Sequence, residues 1–224
     1  MSIEVDVVRV FTDPDGRHGN PLAIVDAASV APPGRQQLAA DLGYSETVFV
    51  DLPEPGETVA TAQIFTPTTE LPFAGHPTVG LSWWLRRRGL PVDTLEVPAG
   101  PVTTRVENAI TWVRAKADWA PDFTLHAAPD STAVQGARAA AFDSGHHYLW
   151  AWAGEGAIRS RMFAPGLGVP EDEATGAAAV RITDHLRRNL HITQGRGSHL
   201  LTHYSPDGWI EVGGRVYPQE TRQV

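Results

Sequence analysis

The chain has 224 residues, 42% of them hydrophobic, and a formal net charge of -8 from 26 acids against 18 lysines and arginines. That length allows one large domain or two small ones, and the acidic balance argues against nucleic acid or an anionic membrane as the main partner. The lack of any cysteine removes disulfides, thiol nucleophiles and cysteine metal sites together, and fits a reducing compartment, so the cytoplasm is the expected location.

From the start, IEVDVVRVF alternates and is β-branched, which predicts a strand. TDPDGRHGNP is turn-rich, and PLAIVDAA predicts a second strand. PPGRQQLAADLG reads as a helix with prolines at its start and Gly43 past its end. ETVFVDLP and TVATAQIFTP are strands around a PEPGE turn. The run from Val79 to Arg88 is a helix closed by Gly89, and LEVPAGPVTTRVENAITWVRA holds two or three strands. ADWAPDFTLHAAPDST has little periodicity and is the expected inter-domain region. STAVQGARAAAF reads as helix, HHYLWAWAG and AIRSRMFAP as strands, and TGAAAVRITDHLRRN as helix. The end reads as a hairpin turning at Ser205-Pro206-Asp207-Gly208. MSIEVDVVRVFTD has no basic segment ahead of an apolar core, so no signal peptide is expected, and no apolar stretch is long enough to span a bilayer.

Two glycine-led helices carry the chemical interest. Gly75-His76-Pro77-Thr78 places proline in a first helical turn, where its missing N–H costs nothing, and predicts an extended His76. Thr175-Gly176-Ala177-Ala178 opens the second helix, whose Ala178, Ile182 and Leu186 share one face. A helix N-terminus favours an anion, so the pair of ends could hold one small carboxylate. A plain helix start with a capping histidine fits the first motif equally well. Both helices follow a Phe-x-Pro echo, Phe65-Thr66-Pro67 and Phe163-Ala164-Pro165, which two similar lobes would produce. Glu46 sits where a helix ends and an apolar strand begins. It is either a solvated strand-end residue or a half-buried acid with a raised pKa, able to take and return a proton. Lys116 is the only lysine, no phosphate cradle accompanies it, and the strict GxGxxG and GxxxxGK[ST] patterns are absent. Metal chemistry is disfavoured, because His146 and His147 point to opposite faces of a strand and the stretch holding His199 and His203 reads as β. Trp83 and Trp84 read as core, Arg86 to Arg88 as a solvated helix end, and Tyr44 and Trp209 as residues that could line a cleft.

Together VRVFTD with HGNPLAIV, GYSETVFV, IFTPTTELPFAGHPTVG and FAPGLGVPEDEATGAAA resemble the phenazine-biosynthesis isomerase (PhzF-like) family, related in fold to diaminopimelate epimerase. The resemblance implies an α+β fold of two similar lobes, each a β-barrel-like sheet wrapped around a central helix. Residues 1–115 would form the first lobe and 116–224 the second, with the last residues free to return to the first. It implies Glu46, His76 and Asp172 as the catalytic set, and Asn20, Gly75, Thr78, Gly176 and Ala177 as the substrate-binding set. It also implies a small carboxylic acid as substrate, a homodimer, and no metal or organic cofactor. The chain departs from the family at Ala177, often serine, and at Glu173, usually proline. The Gln-Gly…Gly-Arg-Pro-Ser region is reduced to Gln194-Gly195-Arg196-Gly197-Ser198, and the second lobe is expected to have lost strands. A catalytically idle binding protein of the same fold is the alternative reading.

Overall fold

The computed structural model describes residues 2–224. Their secondary structure is one large sheet with few helices, a mixed α+β architecture. The first half runs β1 (Glu4–Thr12), β2 (Asn20–Asp26), α1 (Pro32–Leu42), β3 (Thr47–Asp51), β4 (Val59–Phe65), β5 (Glu70–Leu71), α2 (Gly75–Arg87), β6 (Thr94–Val97) and β7 (Gly100–Glu107). The second runs β8 (Ile110–Lys116), β9 (Thr124–Ala127), α3 (Ser131–Gly136), β10 (His147–Gly154), β11 (Ala157–Ala164), β12 (Val169–Asp172), α4 (Gly176–Leu186), β13 (Leu190–Gln194) and β14 (Ser198–Tyr204). A long β15 (Trp209–Gln223) closes the chain.

Strand pairing repeats between the halves. β2, β3, β4, β6 and β7 join by parallel, antiparallel, parallel and antiparallel ladders in turn, and β9, β10, β11, β13 and β14 join in the same sequence. The register carries the repeat to single residues. Thr47 faces Phe65 as His147 faces Phe163, and Ile64 faces Leu71 as Met162 faces Asp172. Leu71 and Asp172 each stand four residues before their helix glycine, so Glu70–Gly75 corresponds to Glu171–Gly176. Even a side-chain bond recurs: Gln63 donates to Glu70 at 2.9 Å, and Arg161 to Glu171 at 2.7 Å. The Phe-x-Pro echo is therefore structural, and its unequal spacing comes from the longer loop between Pro165 and Glu171.

By this pairing β2 to β7 each have a counterpart among β9 to β14. What differs is closure. β1, β2, β3, β4, β6, β7, β8 and β15 form a closed circuit, because β15 pairs with β8 through its first residues and with β1 through its last. In the second half β8 and β9 share no ladder, and β9 is left as an edge.

α2 fills the first circuit. Its residues from Gly75 to Ser82, then Trp84 and Leu85, are buried, as expected for a helix enclosed on all sides. Gly80 permits this: a Cβ there would lie 2.6 Å from Leu22 Cδ2 and 2.8 Å from Val10 Cγ2. Ala178, Ala179, Val180 and Ile182 of α4 join the same hydrophobic core. A smaller core, with Val5, Val7, Ala23, Val25, Ala39 and Phe49, lies under α1, so β1 is buried on both faces.

Some local expectations are corrected. α2 begins at Gly75, two residues before Pro77, and the extended residue is Ala74 (φ -148°, ψ 133°) rather than His76. Proline still lies in the first turn, where no intrahelical donor is needed. The stretch read as inter-domain contains β9, which pairs parallel with β10. Helix over residues 131–142 breaks at Ala137 into α3 and a short turn at Ala139–Ala141. α4 ends at Leu186, where Arg187 turns left-handed (φ 51°).

Candidate active site

Glu46, the residue just ahead of β3, stands beside the start of β2, because β2 and β3 run parallel with Ala23 opposite Thr47. Asn20 opens β2, and His76 lies in the first turn of α2. His76 Nδ1 is 3.2 Å from Glu46 Oε2, with the two side chains 3% and 19% exposed. Burial lifts the Glu46 carboxyl to about 7, against a weaker downward pull from the Ser45 hydroxyl. Burial drives His76 the other way, to about 4, although Asp172 and the Pro21 carbonyl oppose it. The close contact is therefore no ion pair at neutral pH. It is a neutral imidazole against a carboxyl near half-ionisation, a poise suited to proton transfer in both directions.

Asp172 reaches this point from the other half. Asn20 Nδ2 donates to its Oδ1 at 2.7 Å, and the Thr175 hydroxyl donates to its Oδ2 at 2.5 Å. Gln194 Nε2 donates to the Asp172 carbonyl at 3.0 Å and to Thr175 Oγ1 at 2.8 Å. Burial and the Glu46 charge raise Asp172 to about 6, despite these donors. Two carboxyls thus raise each other's cost of ionisation across the boundary between the halves.

Here the two helix ends meet. A Cβ on Gly75 would lie 2.9 Å from Gly176 Cα, and one on Gly176 would lie 2.9 Å from His76 N. Thr78 and Ala179 are the first residues to donate along their helices, so the amides of Gly75, His76, Gly176 and Ala177 lie ahead of the intrahelical ladder. Among the described residues, His76 Nε2 and Gln194 Oε1 are buried without a protein hydrogen-bond partner, and each such atom costs about 1–3 kcal/mol.

Of the residues expected at the site, Glu46, His76, Asp172, Asn20, Gly75 and Gly176 come together. Ala177 corresponds to His76 by the repeat and brings an amide without a side-chain hydroxyl. Thr78 gives its hydroxyl to the carbonyls of Ala74 and Gly75, both at 3.0 Å, so it is engaged within its own helix. Tyr44 packs beside the smaller core under Arg222, and Trp209 stacks edge-on with Trp119. Thr175 and Gln194 were not anticipated. Thr175 lay inside the quoted EDEATG motif, and Gln194 showed only as a glutamine ahead of a glycine-rich turn. The site is not duplicated: by the strand register His146 stands where Glu46 does, and it packs against Phe123. Among the described residues no three His, Asp or Glu side chains converge as a metal site.

The sequence profile described as "Phenazine biosynthesis-like protein" (PhzC-PhzF) matches residues 8–130 and 129–206. Trans-2,3-dihydro-3-hydroxyanthranilate isomerase of Pseudomonas fluorescens is 32% identical over 225 residues, covering 82% of this chain and 80% of that protein. The namesake from Pseudomonas chlororaphis is 31% identical over 226 residues, with the same coverage. Among solved structures, a putative phenazine-biosynthesis PhzC/PhzF protein from Clostridium difficile superposes with a TM-score of 0.78, 15% identity and 99% of both chains covered. A hydroxyproline epimerase from Agrobacterium vitis superposes with a TM-score of 0.66 and 12% identity, over 100% of this chain and 92% of that one. The chain belongs to the phenazine-biosynthesis-like (PhzC-PhzF) family, and it is an isomerase.

Proposed function

We propose that the protein moves a proton on a small carboxylic acid held between its halves, with Glu46 as the acid/base and no cofactor taking part. A dihydro-hydroxyanthranilate-like acid, or an amino or hydroxy acid, fits this chemistry. The observation that carries the reading is the half-buried Glu46, lifted to about 7 by desolvation, 3.2 Å from a neutral His76 at the meeting of two helix N-termini. The ionised carboxylate takes a proton from carbon. Free amides at the helix ends stabilise the negative charge that develops on the substrate, and the same carboxyl returns the proton to another carbon or face. His76 orients Glu46 and hydrogen-bonds the substrate. Asp172 acts as the second polar group, and Asn20 serves as its holder rather than as a direct substrate contact. The amides of Gly75, Gly176 and Ala177 bind the carboxylate.

The same reading takes residues 1–115 and 116–224 as two lobes, each wrapped around its helix, with β15 returning to the first. It includes a cytoplasmic homodimer, which light scattering on purified protein tests for stoichiometry. Incubation in D₂O with a panel of small amino, hydroxy and dihydro-aromatic acids is the decisive experiment. Deuterium entering one acid with wild type but not with Glu46→Gln is the expected result; equal exchange with both proteins removes Glu46 from the chemistry. Ala177 favours one second reading, an idle small-acid binder. It would bind an acid equally well with either protein and exchange none.

A further inference from the structure

Asp172 has a neighbour with an unexplained side chain. Glu173 stands where the repeat places Pro72. In the first half this point is tied to the β6–β7 turn by backbone alone, Ala99 N donating to the Pro72 carbonyl at 3.0 Å. In the second half a carboxylate makes the tie. Arg196 N lies 3.0 and 3.1 Å from the two Glu173 oxygens, and Arg196 Nε lies 3.2 Å from Oε2. The Glu173 side chain is only 14% exposed.

The contact continues across the boundary. The buried Ser198 hydroxyl donates to Glu173 Oε1 at 2.8 Å and accepts from Gly19 N at 2.9 Å. Gly19 precedes Asn20, whose amide donates to Asp172 and to the Ala174 carbonyl. The pair Asp172-Glu173 therefore grips the pair Gly19-Asn20 twice, once through Asn20 and once through Ser198, in a closed ring of hydrogen bonds. Both sides of the ring are sterically tight: a Cβ on Gly19 would lie 2.7 Å from the Val10 carbonyl oxygen, and one on Gly195 would lie 2.6 Å from that of Glu173. His18 lies over Gly197 on the same turn.

We infer that Glu173 is a positioning residue: through Ser198 it clamps Gly19-Asn20 to the second half and so sets where Asp172 stands relative to Glu46. This rests on the reading of Glu46 and Asp172 as the proton-transfer site. A link made by one exposed ion pair would contribute little. The contribution here is directional, because a backbone amide, a guanidinium N–H and a buried hydroxyl together fix the carboxylate in place. The charged groups around the clamp are Arg196 and Arg159, the latter held by the carbonyls of Ser160, Thr193 and Gly195; the titratable groups facing Asp172 are Glu46 and His76.

The test compares wild type with Ser198→Ala, Glu173→Ala and the conservative Glu173→Gln, whose amide oxygen can still accept from Ser198. Two quantities are read against pH: the turnover number for proton exchange, and the carboxyl ¹³C shifts of Asp172 and Glu46. Releasing the clamp should admit water between the halves and shift both carboxyl titrations to lower pH. Turnover should fall about 10- to 100-fold in Ser198→Ala and Glu173→Ala, and less in Glu173→Gln. A lower melting temperature with both titrations unmoved overturns the inference and leaves Glu173 a stabilising residue only. Should wild type exchange no acid at all, the functional reading fails, while the ¹³C titrations still decide the clamp.

Discussion

At the scale of single residues, the chemistry rests on moving two side chains out of water in opposite senses. Glu46 holds its proton more tightly than an ordinary carboxyl, and His76 holds its proton less tightly. Activity that needs the ionised Glu46 should rise with pH through about 7, which a pH profile of turnover over kcat/KM tests directly. Glu46→Gln should lose roughly 100- to 10,000-fold in exchange rate. It should also be more stable than wild type in alkaline solution. A carboxyl whose folded pKa is raised contributes its stability below its unfolded value, near 4.5, and loses it as pH rises through about 7. The melting temperature of Glu46→Gln should thus exceed that of wild type at pH 8, with the difference closing toward pH 4. His76 titrates with the reverse sign, losing stability as pH falls from 6.5 toward about 4, but it is present in both proteins and largely cancels in the comparison. A difference that does not vary with pH would mean that Glu46 is solvated.

At the scale of elements, the contact between α2 and α4 sets the site. The helix ends approach so closely that neither Gly75 nor Gly176 has room for a methyl group against the other's backbone. Backbone cannot swing aside as a side chain can. Gly75→Ala and Gly176→Ala should each cost about 1–3 kcal/mol in denaturant unfolding and should depress turnover as well, since the helix ends are pushed apart. Gly136→Ala is the matched control. A Cβ there meets nothing within 4 Å, the residue lies in α3, and its φ is not positive, so stability should be unchanged or slightly raised. Equal losses at all three positions would contradict the helix-contact account.

At the scale of the whole molecule, β15 joins the halves. Its first residues pair with β8 and β14, and its last pair with β1, which completes the eight-strand circuit around α2. Deleting residues 215–224 removes the ladder to β1 and leaves that strand, buried on both faces, as a bare edge. The truncated chain should aggregate or unfold without a cooperative transition, seen by calorimetry and light scattering. A sharp transition near the wild-type temperature would show that the circuit needs no closure. β9 is already an edge, but it is four residues long and half exposed, so it presents little ladder to a neighbour.

Much of this was legible in the sequence because it depends on local chemistry. Alternating β-branched residues marked β1, prolines and Gly43 bounded α1, and Ser205-Pro206-Asp207-Gly208 placed the last turn. Glu46 and the two glycine-led helices were singled out by the motifs that resemble the family, since their residue types alone fit a solvated strand end and plain helix starts as well. Tertiary structure decided the rest. Which polar groups pair across the halves, such as Asn20 with Asp172 or Gly19 with Ser198, depends on contacts between positions 152 and 179 residues apart, which periodicity does not encode. The start of α2 lies ahead of Pro77, and the Thr78 hydroxyl donates within its own helix. The shifted protonation of Glu46 belongs to the fold alone, since desolvation exists only once the halves have closed around the side chain.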